Sequence, residues 1–430
     1  LTLKSLSCDK LFELQLKTKF KKYLYWLTLL GINFISLFFK LKDINFVEYK
    51  YDQYFADNVI QNCKIKLLNF SNLEFLYIRS SSGVPQGPFH FSLECIAGIL
   101  GVNDFTGFLL LKIIFSQILI FIIIYLLQDY LSKFEILTLL LLILFNPYLV
   151  ISSRNTSIAY GYEVLLVVFL YLILKVNNSK KNTLIYGAFS IFTLVFYFPT
   201  FIFINCINGV LFLRKYFKNL LHFIYGNLIG LFLATIAYLP YLLSNTQLNL
   251  NNGSKSWGLS SYWRINLHAI SGDSLNNKIN STTDVEALLR LVPNYLNLHK
   301  VNYALITFLL ILSLLSFLNN FNFRSLDIFD YIFLITMTFT GIFYTLLDIP
   351  LYPHYFFFNI FFGIIFIVKN IRPKFVLFII SCIFVVTSSI IIQNFHLYIQ
   401  EYNGAQTSDY GKSYNTCGCC VDEIRQCKGQ

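Results

Sequence analysis

The chain has 430 residues, 56% hydrophobic and 18% aromatic, with only 13% charged and a formal net charge of +11. A soluble domain carries about 25% charged residues, and apolar runs of roughly 17 to 25 residues recur here as bilayer-spanning helices require, so a soluble fold is excluded. The positive charge does not point to nucleic acid, because most Lys and Arg lie in short segments between apolar runs, the positive-inside arrangement of a membrane protein.

In chain order, the first apolar run is residues 23–39. It follows Lys17, Lys19, Lys21 and Lys22 and lacks a small-residue cleavage site. It is expected to be a signal anchor with a cytoplasmic N-terminus, not a cleaved leader. A start at Leu1 is non-standard or incomplete. Further spans are predicted at 107–127, 135–151, 158–174, 183–198, 200–213, 220–243, 301–318, 328–347, 352–368 and 375–393. The fold class is therefore an all-α polytopic membrane protein of about eleven transmembrane helices. The fifth and sixth spans meet at Pro199 and are short enough to form one re-entrant hairpin.

With the N-terminus inside, Lys175, Lys180, Lys181, Arg214, Lys215, Lys218, Lys369, Arg372 and Lys374 fall on the cytoplasmic side, as the charge rule prefers. Two large extracytoplasmic loops result, 40–106 and 244–300. The transmembrane domain is expected over 1–393, followed by an extracytoplasmic tail, 394–430. The stretch 91–100 is amphipathic and is expected to lie along the membrane surface. The second loop begins as a turn-rich polar run. It ends in a predicted helix, TTDVEALLRLVPNYL, with Thr282 or Thr283 as cap and Glu286 in its first turn.

Cys8, Cys63, Cys95, Cys206 and Cys382 are scattered and read as packing residues. Cys417, Cys419, Cys420 and Cys427 cluster in the tail. Disulfides suit an outside tail, and a metal site is the alternative, although the spacing matches no standard zinc pattern.

The first loop opens EYKYDQYFADNVI and closes VPQGPFHFSLECIAG. Asp52 stands about a dozen residues after the first span, among Tyr49, Tyr51, Tyr54 and Phe55. A carboxylate there can act as a general base. The plain alternative is a helix cap. Asp57 lies further along the same stretch and is more ordinary as a surface acid. Glu48 and Glu74 are weaker candidates. His90 follows Pro88, which fixes the backbone where the loop returns to the membrane. Arg154 sits in a short outer turn, with Glu163 about two turns into the next span. The pair either binds an anionic lipid phosphate or stabilises helix packing. Arg264, Lys255 and His268 are anion-binding candidates in the second loop. His354 and Tyr355 stand at the outer mouth of the tenth span, where they either contact a phosphate or belong to an aromatic belt.

No Walker A loop, G-x-S-x-G, H-E-x-x-H or Gly-rich dinucleotide fingerprint is present, which argues against ATP- or NAD-driven chemistry. Few intramembrane charges line up as a continuous path in the sequence, which argues against a proton-coupled transporter.

The stretch Tyr51 to Asp57 resembles the acidic first-loop element of the GT-C superfamily of membrane glycosyltransferases, and Gly87 to Phe91 resembles its Pro-containing return. The run PHYFFFNIFFGI resembles a late segment of many bacterial members. The layout over about residues 20–395 is most similar to the dolichyl-phosphate-mannose protein mannosyltransferase and 4-amino-arabinose transferase branch. Gln53 replaces a second acidic residue, the return has one Pro, and Asn359 stands where Pro is common. The resemblance implies a reaction outside the cytoplasm, at a bacterial inner membrane. A sugar leaves a polyprenyl-phosphate carrier with inversion, an acceptor hydroxyl of a glycan, lipid or protein attacks, and Asp52 takes the proton. Asp57, His90, Arg154, Glu163, Arg264, His354 and Tyr355 would bind substrate. No nucleotide is implied, and a divalent metal only in some branches. The alternatives are a lipid-linked oligosaccharide flippase or other transporter, and a polysaccharide polymerase or ligase.

Overall fold

The computed structural model of the chain describes residues 8–48, 92–102, 105–154, 163–214, 216–243, 258–319, 327–346, 351–407 and 413. Asp52, Asp57, His90, Glu74, Lys255, Cys63 and the tail cysteines Cys417, Cys419, Cys420 and Cys427 lie outside the described residues.

The helices are α1 (Cys8–Leu41), α2 (Ser92–Ile99), α3 (Phe105–Leu127), α4 (Lys133–Leu144), α5 (Pro147–Ser152), α6 (Glu163–Lys175), α7 (Lys180–Phe192) and α8 (Phe198–Leu213). They continue with α9 (Leu220–Leu243), α10 (Leu259–Ser271), α11 (Thr282–Leu291), α12 (Tyr295–Asn319), α13 (Ile328–Leu346), α14 (Phe357–Asn370) and α15 (Lys374–Tyr402). Among the described residues seven segments are long and apolar enough to cross a bilayer: Tyr23–Leu41, Phe105–Leu127, Leu220–Leu239, Tyr295–Asn319, Ile328–Leu346, Pro353–Asn370 and Lys374–Tyr402. The chain is thus an all-α, multi-pass membrane protein.

The other four predicted spans are helical but, among the described residues, short: α4, α6, α7 and α8 have 12, 13, 13 and 16 residues. At 1.5 Å per residue, even 16 residues reach only about 24 Å, less than the roughly 30 Å hydrocarbon core. The predicted span 135–151 is broken for a local reason. Asn146 caps α5 by accepting from Leu149 N at 3.1 Å, and Pro147 opens that helix, so α4 ends before it. Pro199 likewise lies in the first turn of α8, which favours a fresh helix start. Two boundaries also move. The twelfth helix begins at Tyr295 rather than 301, and α15 runs to Tyr402, past the expected 393.

α14 is the central helix, and its residues Phe357 to Val368 are all buried. Its sequence is apolar on every face because every face meets protein. Phe358 and Phe362 pack on Phe169 of α6 and Phe203 of α8, the Phe203 and Phe358 centroids being 4.6 Å apart. α10 is not a free loop helix. It packs against α12, α13 and α14, and buried Tyr262 donates to the Thr336 carbonyl, midway along α13. Asn359 donates to Tyr262 Oη at 2.8 Å and to Asn266 Oδ1 at 2.7 Å. The side chain standing where Pro was common thus pins α10 to the bundle centre.

α7 and α9 approach through glycine. A Cβ on Gly226 would fall on the backbone of Leu184 and Ala188, and one on Gly230 on the backbone of Ala188. Small residues four apart let membrane helices meet backbone to backbone. Gly226→Leu is therefore expected to push α9 off α7 and lower stability by about 1–3 kcal/mol. A detergent melt no lower than wild type would contradict that close contact.

Two groups of polar contacts among the described residues lie toward opposite ends of the bundle. At one, Lys374 binds Glu135 at 2.6 Å, Lys369 binds Asp330 at 2.8 Å, Asn177 donates to the Tyr216 carbonyl at 3.0 Å, and Arg214 lies over the Tyr331 ring. At the other, Glu48 meets Lys278, Arg154 meets Asp43, and Asn146 donates to the carbonyls of Ala269 and Ile270 at 3.2 and 2.9 Å.

Candidate functional site

The second end is where buried ionisable groups gather. α1 stops at Leu41, and Asp43 turns the chain with a left-handed backbone (φ 54°) before a short 3-10 turn, Ile44–Phe46. That turn aims the Asp43 carbonyl at Arg154, whose Nη2 donates to it at 2.6 Å. Arg154 Nη1 lies 2.9 Å from His396 Nδ1 of α15. Both side chains are buried, at 4% and 2% exposure. Arginine only donates, so the facing imidazole nitrogen accepts. The Asp43 carboxylate stands 4.0 Å from the same ring.

Next to it, Glu48 accepts from Lys278 at 2.9 and 3.2 Å, both side chains about nine-tenths buried. Glu48 also forms an antiparallel bridge with Ser413. Asp284, fully buried, accepts from Gln406 N at 2.6 Å, Thr407 N at 3.0 Å, Ser281 Oγ at 2.7 Å and the Tyr398 hydroxyl. Ser281, not Thr282 or Thr283, caps α11, and Asp284 rather than Glu286 is the acid in its first turn that carries these bonds. The beginning of the first predicted loop, the second loop, residues 404–407 and Ser413 are thereby tied at one place.

One layer inward, Ser116 Oγ donates to Glu163 at 2.6 Å. Glu163 interacts electrostatically with Lys40 and with Lys112, and Lys112 in turn with Glu94 of α2. All four ionisable side chains are buried. Burial pushes the Glu94 carboxyl up from its ordinary value and Lys112 pulls it back. The four residues come from four helices, so their spacing in the sequence does not show the grouping.

A second constellation surrounds Asp273, in the 3-10 segment Asp273–Lys278 that follows the left-handed Gly272. His268 Nδ1 bonds Asp273 Oδ2, His299 Nδ1 lies 3.2 Å from Oδ1, and Asn276 Nδ2 donates to Oδ1 at 2.6 Å. His299 is buried, while His268 keeps 33% of its side chain exposed against Tyr303. A part-exposed imidazole oriented by a carboxylate is equipped for proton transfer. Burial works against the Asp273 charge, but the bond from His268 and the His299 ring 3.2 Å away outweigh it and hold the carboxyl well below the usual range. A depressed carboxyl stabilises the fold fully above its unfolded value, near 4, and loses that contribution as pH falls through the lower folded value. Asp273→Asn should therefore melt below wild type at pH 7, and the gap should close as the pH is taken below about 4. A gap constant across that range would contradict the assignment.

The predicted site residues divide. Arg154 and Glu163 are both buried at this end, but they bond different partners rather than each other. Arg264 is exposed on α10, apart from the buried centre. His354 stacks on Tyr352 with centroids 5.5 Å apart, and Tyr355 stands edge-on to it at 4.6 Å and to Tyr197 at 6.2 Å. Their expected cavity partner, Asp52, lies outside the described residues, as do Asp57 and His90. Cys95 is half of a disulfide, so it is not a simple packing residue. Lys40, Asp43, Lys278, His396, Asp273 and His299 were not singled out from the sequence. Only His268 and Asp273, five residues apart, offered a local signal.

Among the described residues no group of three or more His, Cys, Asp and Glu is placed to hold a metal ion. Comparison with known proteins returns no match to a family model, to a curated protein or to a solved structure.

Proposed function

We propose that this protein is a membrane glycosyltransferase that moves a sugar, with inversion, from a polyprenyl-phosphate carrier to the hydroxyl of a glycan, lipid or protein acceptor. One observation carries the reading. In a chain with only 13% charged residues, Lys40, Glu48, Arg154, Glu163, Lys278 and His396 are buried at the end where the chain leaves α1. Buried ionisable groups in a membrane protein are costly and mark functional sites. Fixed cations beside the bilayer can receive the charge that grows on a departing phosphate. Asp52 is the proposed base, and Glu48, four residues before it, is anchored to Lys278. His268, held by Asp273, is a second group able to move a proton. His354 and Tyr355 are the proposed contacts to the carrier phosphate. The Cys95 disulfide suits an oxidising compartment, which supports an extracytoplasmic site.

The test is incubation of purified protein with a panel of polyprenyl-phosphate sugars. Release of free carrier phosphate from one of them is the expected result. No consumption of any donor, with and without divalent metal, would sink the reading. The linked charges Glu94, Lys112, Glu163 and Lys40 favour a second reading, a proton-coupled transporter. Uptake of an unchanged solute into proteoliposomes driven by a proton gradient would establish it instead.

A further inference from the structure

Two turns are joined side by side at the end that carries Lys369 and Lys374. One links α6 to α7, and the other, with Tyr216, Phe217 and Lys218, leads into α9. Asn177 of the first donates to the Tyr216 carbonyl at 3.0 Å and accepts from Lys218 N at 3.1 Å. One side-chain amide thus clips the two turns together. Each turn is also held from beneath. Buried Thr183 donates to the Val176 carbonyl, and Asn182 donates to the Lys175 carbonyl at 3.1 Å. Phe217 is buried and stacks on Phe223 with centroids 4.2 Å apart.

This platform presents Lys175, Lys180, Lys181 and Lys218, all exposed. At the same end Lys369 is matched with Asp330 and Lys374 with Glu135. The four platform lysines are not matched: among the described residues none forms an ion pair. The sequence around them offers no acid, since no Asp or Glu occurs between Glu163 and Asp273. What lies beside the cations narrows the partner. Lys175 Nζ sits 4.3 Å from the centroid of the exposed Tyr171 ring. Lys218 stands just before Leu220–Leu239, a segment apolar enough to cross a bilayer, whose Leu221 and Tyr225 are exposed. Unpaired ammonium groups directly above exposed apolar side chains match a molecule with an anionic head and a hydrocarbon body. A soluble polyanion would use the cations alone.

We propose that the two clipped turns bind the head of an anionic phospholipid, with its phosphate among Lys180, Lys181 and Lys218 and its acyl chains along the exposed side of α9. Asn177 is a positioning residue: it sets the spacing of the lysines and carries no charge itself. The proposal does not depend on the sugar-transfer reading.

The test uses the full chain in a neutral detergent, with bound lipids resolved by native mass spectrometry. The probes are phosphatidylglycerol, phosphatidylcholine, chain-free glycerol phosphate and a short poly-aspartate peptide. Phosphatidylglycerol is expected to bind at least about fivefold more tightly than phosphatidylcholine, the worth of one lysine near an anionic head. Glycerol phosphate and the peptide should bind more weakly than phosphatidylglycerol. Replacing Lys180, Lys181 and Lys218 together by Gln should bring phosphatidylglycerol to the phosphatidylcholine value. Lys133→Gln, at an exposed lysine of α4, should leave the preference intact. Asn177→Ala keeps every charge but unclips the turns, and should lower the preference. Each variant is scored by the ratio of the two lipids on the same protein, so a change in its stability cancels. Equal affinity of the two lipids for the wild-type protein overturns the proposal. A preference unchanged in the triple variant, or unchanged in Asn177→Ala, reduces the platform to general surface charge and also overturns it. Tighter binding of the peptide than of phosphatidylglycerol assigns the surface to an acidic protein instead.

Discussion

Lys278→Met is expected to destabilise the protein by about 3–5 kcal/mol, the range for removing one partner of a buried ion pair. Lys278 and Glu48 are about nine-tenths buried and joined at 2.9 Å. Methionine keeps the length of the side chain and removes the ammonium, so the Glu48 carboxylate stays in a low-dielectric position without it. Replacing both residues by apolar ones should recover much of the loss, because a hydrophobic pair of similar volume is often as stable as a buried ion pair. Melts of the two single variants and the double variant measure this directly. A double variant as unstable as the sum of both singles would refute the pairing as an energetic unit.

Asp52→Asn is expected to cut turnover on the accepted donor by about 10²-fold or more, while the melting temperature stays at the wild-type value. Asparagine keeps the shape and loses the ability to take a proton. If Asp52→Asn turns over at the wild-type rate, the proton is taken by another group, and His268→Gln is then the variant to examine. Lys278→Met should also slow transfer, by loosening the anchor of the same segment.

The sequence was legible where the signal is a property of a residue and its neighbours. α14 could be drawn because an apolar run on all faces can only be a buried or lipid-facing helix. Arg154 and Glu163 stood out because a charge in an apolar stretch is rare. Their partners could not be read. His396 is 242 positions from Arg154, and Ser116 is 47 positions from Glu163, distances that no periodicity encodes. Two local signals were present but passed over. Asn146-Pro147 is a turn-forming dipeptide and breaks the third predicted span. Gly226 and Gly230 carry the small-xxx-small spacing and set the α7–α9 contact. The cap of α11 was missed by one residue because Ser281, Thr282 and Thr283 all suit an N-cap. Only the bond from Asp284 N to Ser281 Oγ separates them.

The ties made by Gln406, Thr407 and Ser413 have a temporal consequence. Asp284 has its backbone donors only when Gln406 and Thr407 arrive, and Glu48 has its bridge only when Ser413 does. These are among the last of the described residues to leave the ribosome. They follow α15 in the chain, so the charged end can close only after that helix has been made. Every earlier stage of synthesis therefore holds an unfinished centre. Closure of that end is timed to the end of synthesis, and a nascent chain stalled before residue 404 would lack the contacts that close it.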